Sequence, residues 1–146
     1  MNDIETEKLL IYLRTSINKI QQVFNEELKL YGVKSSYIIY LMLLRRTEMG
    51  LTMTELSKMS YVDKSLTTRV IKELEEKEYI YRDTENITSR KYNIRLTEKG
   101  RKLANSIYAI MEKNRNQILK KFTEEEQNKI FEVLNLIVSK LKNENE

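Results

Sequence analysis

The sequence predicts a mainly α (α+β) fold carrying one two-stranded ribbon, and three observations predict it. The 146 residues contain no Pro and only three Gly (Gly32, Gly50 and Gly100), so the residues that interrupt helices are nearly missing. Apolar residues recur at spacings of three and four along most of the chain. One stretch, Lys91 to Leu96, instead alternates strictly with a period of two.

Residues 4–31 read as one long helix. Leu10, Leu13, Ile17, Ile20 and Phe24 stand at alternating spacings of three and four, a heptad seam that Leu28 and Tyr31 extend. Gly32 follows, where a left-handed residue often closes a helix. The helix exceeds the ~8–20 residues usual in a globular domain, so it is expected to pack against more than its own domain. A second helix spans Ser35 to Arg46, with Tyr37, Ile38, Tyr40, Leu41 and Leu44 on its apolar side. Its last turn holds Arg45 and Arg46, which suit the negative end of the dipole. Thr52 with Glu55 three residues on is a capping box that opens a short third helix bearing Met53, Leu56 and Met59. Asp63 caps a fourth, running to about Glu78, with Leu66, Val70 and Leu74 as its buried stripe.

The period then changes. Tyr79 to Arg82 is strand-like, and Lys91 to Leu96 places Tyr92, Ile94 and Leu96 on one face and Lys91, Asn93 and Arg95 on the other. Asp83 to Arg90, polar and without Gly, reads as a loop longer than a two-residue hairpin turn. Thr97 caps a fifth helix, whose stripe of Leu103, Ile107, Ile110 and Ile118 is interrupted by Asn114. Thr123 with Glu126 opens a sixth, with Ile130, Leu134, Ile137 and Leu141 as its seam and Phe131, Val133 and Val138 widening it. The polar tail, Lys142 to Glu146, is expected to fray.

Composition removes several functions. With no Cys and no His there are no disulfides, thiol chemistry, His general bases or familiar zinc ligands, so neither a metal nor a cofactor is expected. Three dispersed glycines make no phosphate cradle, and Glu124, Glu125 and Glu126 are explained by the helix they open, so the chain is not read as an enzyme. No apolar run approaches ~18 residues, and Met1 to Thr6 is acidic and polar rather than a secretory leader. The expected location is cytoplasmic, with no membrane partner. The net charge of +4 is spread along the chain and argues only weakly for nucleic acid, but Thr88 to Arg101 holds five basic residues and one acidic one, Glu98.

Helices three and four with the ribbon behind them make a helix-turn-helix with a wing. Opposite the stripe of the fourth helix lie Ser65, Thr68 and Lys72, with Arg69 on the flank. Short hydroxyls let a helix approach bases closely, Arg can fork onto guanine, and Lys suits phosphate. Thr67 lies at the stripe's edge, where packing or a local bond is the simpler role. The candidate DNA contacts are Lys64, Ser65, Thr67, Thr68, Arg69 and Lys72, joined by Arg90 and Lys91 from the wing. The second half of the helix, with Glu73, Glu75, Glu76, Lys77 and Glu78, reads as an ordinary solvated face.

These residues resemble the MarR family of bacterial transcriptional regulators. The matching pieces are Leu51-Thr52, Glu55-Leu56, Val62-Asp63, Ser65, Thr68-Arg69, Leu74-Glu75, Ile80, Arg82, Arg90 and the run Leu96-Thr97-Glu98-x-Gly100-Arg101, the last being the most specific. The order and length of the flanking helices extend the resemblance over nearly the whole chain. It implies one protomer over 1–146, with a winged-helix DNA-binding region at 33–96 and helical dimerisation regions at 1–32 and 97–146. In the family the helix from Asp63 enters the major groove, Arg90 reaches in or beside the minor groove, and the first and last helices form a homodimer. Leu10, Leu13, Ile17, Ile130, Leu134, Ile137 and Leu141 are the dimerisation candidates. The implied function is sequence-specific regulation on a palindromic operator of double-stranded DNA, as a repressor released by a small aromatic or phenolic effector. Tyr12, Tyr37, Tyr40, Met42 and Arg46 could line the effector pocket, with core packing as the plainer role. A helical dimeric scaffold or ligand-binding protein without a DNA role is the alternative.

The chain departs from the family in places. Tyr61 and Glu78 stand where Gly is usual, Ser60 where Leu is usual, and Thr88-Ser89-Arg90 where Asp-Arg-Arg is usual. A non-Gly residue at a left-handed cap costs ~1 kcal/mol, so the helix end at Glu78 is expected to be built differently. The acidic residue that would hold the wing Arg is missing locally.

Overall fold

The computed structural model describes residues 1–88 and 91–142. In order they form α1 (Asp3–Lys29), α2 (Ser35–Arg45), α3 (Met53–Ser60), α4 (Lys64–Glu76), β1 (Ile80–Thr88), β2 (Lys91–Leu96), α5 (Glu98–Leu119) and α6 (Glu124–Lys142). Two compact units result, Met1–Ile110 and Met111–Glu146, with the division inside α5. No described helix is long and apolar enough to cross a membrane.

The helix starts follow their caps. Thr52 and Glu55 close a full capping box on α3, and Thr123 and Glu126 pair in the same way ahead of α6. Asp63 accepts from the Leu66 amide to open α4. Asn2 and Glu5 close a third box on α1. At the far end of α1, Gly32 takes φ +63°, the left-handed conformation anticipated there.

The first unit has one core. Tyr37, Tyr40, Leu41 and Leu44 of α2 are buried, as are Leu56 of α3 and Thr67, Val70, Ile71 and Leu74 of α4. Ile80, Ile94 and Leu96 of the ribbon and Ala104, Ile107 and Ile110 of α5 are buried as well. Leu66, predicted for the α4 stripe, is only half-buried, and Ile71 takes a fully buried place instead.

The ribbon departs from expectation. β1 and β2 pair antiparallel, with Ile80 opposite Leu96 and Arg82 opposite Ile94, and β1 continues through the polar residues to Thr88 with an irregularity between Asp83 and Thr88. Thr84 and Glu85, past the core, are exposed, so apolar alternation stops before the strand does. Leu51 adds a short third pairing, exchanging backbone bonds with Ile94 at 3.1 and 2.8 Å. Gly50, at φ +78°, allows it: a Cβ there would stand 2.3 Å from the Ile94 carbonyl oxygen.

The run around Thr97 locks the root of the ribbon to α5. Thr97 Oγ1 donates to the Glu78 carbonyl at 2.6 Å and accepts from the Gly100 amide at 3.0 Å. A Cβ on Gly100 would lie 1.8 Å from the Tyr79 carbonyl oxygen, so only glycine allows this approach.

In the second unit the predicted interruption at Asn114 is a buried position, 1% exposed, whose amide has no hydrogen-bond partner among the described residues. The α6 seam is exposed, with Leu134 at 53% and Leu141 at 59%.

Candidate nucleic-acid interface

The outer face of α4 carries Lys64, Ser65, Thr68, Arg69 and Lys72, all exposed. The Thr68 hydroxyl donates to the Lys64 carbonyl at 2.8 Å, which fixes its rotamer and leaves its lone pairs outward. The Arg69 guanidinium makes no hydrogen bond or ion pair with a described residue. Thr67 does not belong to this face. It is fully buried, and its hydroxyl shares a 3.0 Å hydrogen bond with the Tyr40 hydroxyl, because its position on the wheel turns it into the core.

The second half of α4 is tethered rather than merely solvated. Glu73 accepts from Lys34 Nζ at 2.8 Å and from the buried Tyr37 hydroxyl at 2.7 Å, joining α4 to the start of α2. The Lys34 hydrogen bond, then that of Tyr37, holds the Glu73 carboxyl below its ordinary range. Burial, then the bond to Glu73, raises the Tyr37 phenol, and Glu73 raises Lys34. Glu75 takes Arg82 Nε on both oxygens at 3.1 Å, and Arg82 in turn donates to the Tyr92 hydroxyl, so the base of the ribbon is braced against α4. Sequence reasoning missed these ties because it scored the acids as one helix face. The nearest signal was a pair of tyrosines three apart on α2.

On the wing, Lys91 is exposed, and Arg90 lies outside the described residues. Asp83, 7% exposed, binds Arg95 Nη1 at 3.0 Å, which strengthens the hold of that guanidinium on its charge. This acid, on β1, holds Arg95, a residue of β2, and bears on no contact of Arg90.

The turn between α3 and α4 keeps its left-handed residue without glycine. Tyr61 takes φ +57°. Ser57 Oγ donates to the Val62 carbonyl at 2.9 Å, and Ser60 Oγ accepts from the Val62 amide at 3.3 Å, so two hydroxyls secure the turn. Glu78 likewise takes φ +61°, contrary to the expectation of a different helix end. The Tyr79 amide bonds the Leu74 carbonyl and the Glu78 amide bonds that of Glu75, the Schellman pattern.

Two short helices joined by this turn, the second presenting hydroxyls and cations beside a braced ribbon, define a winged helix-turn-helix protein. A model of the MarR family matches residues 38–86. The regulator BilQ of Clostridioides difficile is 28% identical over 129 residues, covering 88% of this chain and 86% of that protein. The regulator SarZ of Staphylococcus epidermidis is 28% identical over 139 residues, covering 95% and 92%. Both are named HTH-type transcriptional regulators. Among solved structures, an S. aureus MepR–DNA complex superposes with a TM-score of 0.80 at 22% identity, covering 89% of this chain and 96% of that one. Residues 38–86, which the MarR family model matches, run from α2 through the helix-turn-helix into β1, and the relatives similar to this chain over most of its length are named as transcriptional regulators.

Proposed function

We propose that this protein binds double-stranded DNA sequence-specifically as a homodimer on a palindromic operator, in the cytoplasm, and represses the genes beside it. The observation that carries the reading is the exposed face of Lys64, Ser65, Thr68, Arg69 and Lys72 at the N-terminal half of α4. The positive end of the helix dipole adds to their attraction for phosphate. That a protein of the same fold, MepR of S. aureus, has been solved in complex with DNA supports DNA as the partner. Arg90 and Lys91 are proposed as wing contacts. Homodimerisation is supported by the bare seams of α1 and α6, which leave Leu10 62%, Ile17 53% and Leu134 53% exposed. Release by a small aromatic or phenolic effector belongs to the same proposal. Tyr12 and Arg46 are exposed for it, whereas Tyr37 and Tyr40 lie in the core with their hydroxyls engaged.

The test is selection of bound duplexes from a random pool, run beside sedimentation. The expected result is an enriched inverted repeat with half-sites about one helical turn, ~10 bp, apart, bound by a dimer. A 17.5 kDa monomer that enriches no sequence overturns the reading in favour of a helical scaffold or ligand-binding protein.

A further inference from the structure

On one face of α4, Arg69 precedes Glu73 by one turn, the spacing at which opposite charges on a helix pair. Yet Glu73 is turned to α2, where one carboxylate oxygen receives both Lys34 Nζ and the Tyr37 hydroxyl. Arg69 is left exposed and makes no hydrogen bond or ion pair with a described residue, its charge reaching Glu73 only through space, as the last of the influences on that carboxyl. We infer that Lys34 and Tyr37 are positioning residues for DNA reading: by holding Glu73, they keep its carboxylate from capturing Arg69. This rests on the proposal that Arg69 reads a base.

The physical case is one of orientation: Lys34 and Tyr37 both hold Oε2, which fixes the carboxylate toward the start of α2 and keeps Oε1 from swinging to Arg69. Tyr37 is 1% exposed, so its hydroxyl has few alternatives to Glu73 and holds that acceptor in place. Glu73 has 30% of its side chain exposed, and Lys34, 61% exposed, reaches it from the solvent side. An Arg that entered an ion pair with Glu73 would have to give it up before forking onto a base, and affinity would fall by the cost of that rupture. A guanidinium outside such a pair loses hydration and only a weak through-space attraction to Glu73. The arrangement also places an acid beside the reading face without letting it repel phosphate at full strength, because Lys34 neutralises it locally.

The experiment is a double-mutant cycle on operator affinity, using the duplex enriched from the random pool and the full chain. Tyr37→Phe keeps the ring in the core and removes only the hydroxyl. It should weaken operator binding about two- to fivefold in a complex of two protomers, and adding Lys34→Met should weaken it further. The loss should be accompanied by relaxed preference at the base that Arg69→Ala also relaxes. In the Glu73→Gln background, Tyr37→Phe should cost nothing, since no carboxylate is left to capture Arg69.

A purely structural tie between α2 and α4 gives the opposite result. Gln can still accept from the Tyr37 hydroxyl, so Tyr37→Phe would remain costly in that background, and this outcome overturns the inference. A readout without DNA separates it from the broader proposal. By nitrogen-detected NMR, the Arg69 Nε proton should exchange with water more slowly in the Lys34→Met, Tyr37→Phe double variant than in the wild type. Unchanged exchange overturns the competition even if the protein binds its operator. Slowed exchange in a protein that enriches no duplex leaves the competition standing and rejects the DNA role.

Discussion

Two regions of this chain use the same kinds of apolar residue in regular stripes and treat them in opposite ways. In α3, α4 and β2, the side chains of Leu56, Ile71, Leu74 and Ile94 are wholly buried. Along α1 and α6, Leu10, Ile17, Leu134 and Leu141 are 62%, 53%, 53% and 59% exposed. The helix-turn-helix and its ribbon satisfy their own stripes. The two long helices do not, and α1 buries Leu28 alone within one protomer. Periodicity reports that a face wants burial and is silent on whether the burying surface belongs to the same chain. The difference teaches that the two regions are separately encoded, with the winged helix-turn-helix complete in one copy and the seams proposed for assembly left bare.

The largest effect that would break this contrast is loss of assembly. Ile17→Glu with Leu134→Glu places unpaired charge in both seams, at several kcal/mol per dimer if they are buried between copies. Sedimentation should then show a monomer at micromolar concentration, with circular dichroism still helical. A variant that stays dimeric places the contact elsewhere. The contrast can be sharpened from the other side by core truncation. Ile71→Ala, at a fully buried site, should lower unfolding free energy by about 2–5 kcal/mol in urea. In the charged monomeric background, Phe131→Ala, at a site 68% exposed, should stay within about 0.5 kcal/mol.

Smaller effects divide the reading face itself. Arg69→Ala should cost about 1–3 kcal/mol per half-site and relax preference at one base. Lys72→Ala should weaken binding to all duplexes alike and lower the salt slope by about 1 for each phosphate it no longer neutralises. Fluorescence anisotropy across a salt series, on matched and mismatched operators, distinguishes the two. If Arg69→Ala leaves the preferred sequence unchanged, Arg69 is not the reader.

The element order was legible because caps and stripes are local. Thr52 with Glu55, Asp63, Thr97 and Thr123 with Glu126 each start a helix where their side chains can reach back to its first amides. The length of β1 was not, since a wet strand carries no apolar signature. The face of Ser65, Thr68, Arg69 and Lys72 followed from the wheel. Thr67 shows the limit of that reasoning, because a hydroxyl at the stripe's edge is claimed by whatever packs beside it, and here that is Tyr40. Partners such as Lys34 for Glu73, or Arg95 for Asp83, depend on how distant segments meet, which no local pattern carries.

The smallest effect concerns the turn that separates the two helices of the reading motif. Tyr61 adopts φ +57° with its ring 64% exposed, so the side chain contributes little burial while its Cβ crowds the backbone. Relieving that crowding is worth roughly 1–2 kcal/mol, and the greater freedom of glycine in the unfolded chain takes back roughly 0.5–1. Tyr61→Gly should therefore raise stability by about 0.5–1 kcal/mol and the melting temperature by a few degrees. Tyr61→Ala is the control, because it removes the ring and keeps the crowding, and it should not stabilise. Glu78→Gly should behave as Tyr61→Gly does, since Glu78 holds φ +61° within a complete set of Schellman bonds. The hydroxyls of Ser57 and Ser60 fix Val62 whichever residue stands at 61, so the angle between α3 and α4 should persist and operator affinity should stay within about twofold. Calorimetry on the three variants decides the matter. Equal melting temperatures for the Gly and Ala substitutions at 61 would show that the left-handed conformation is not where this protein stores strain.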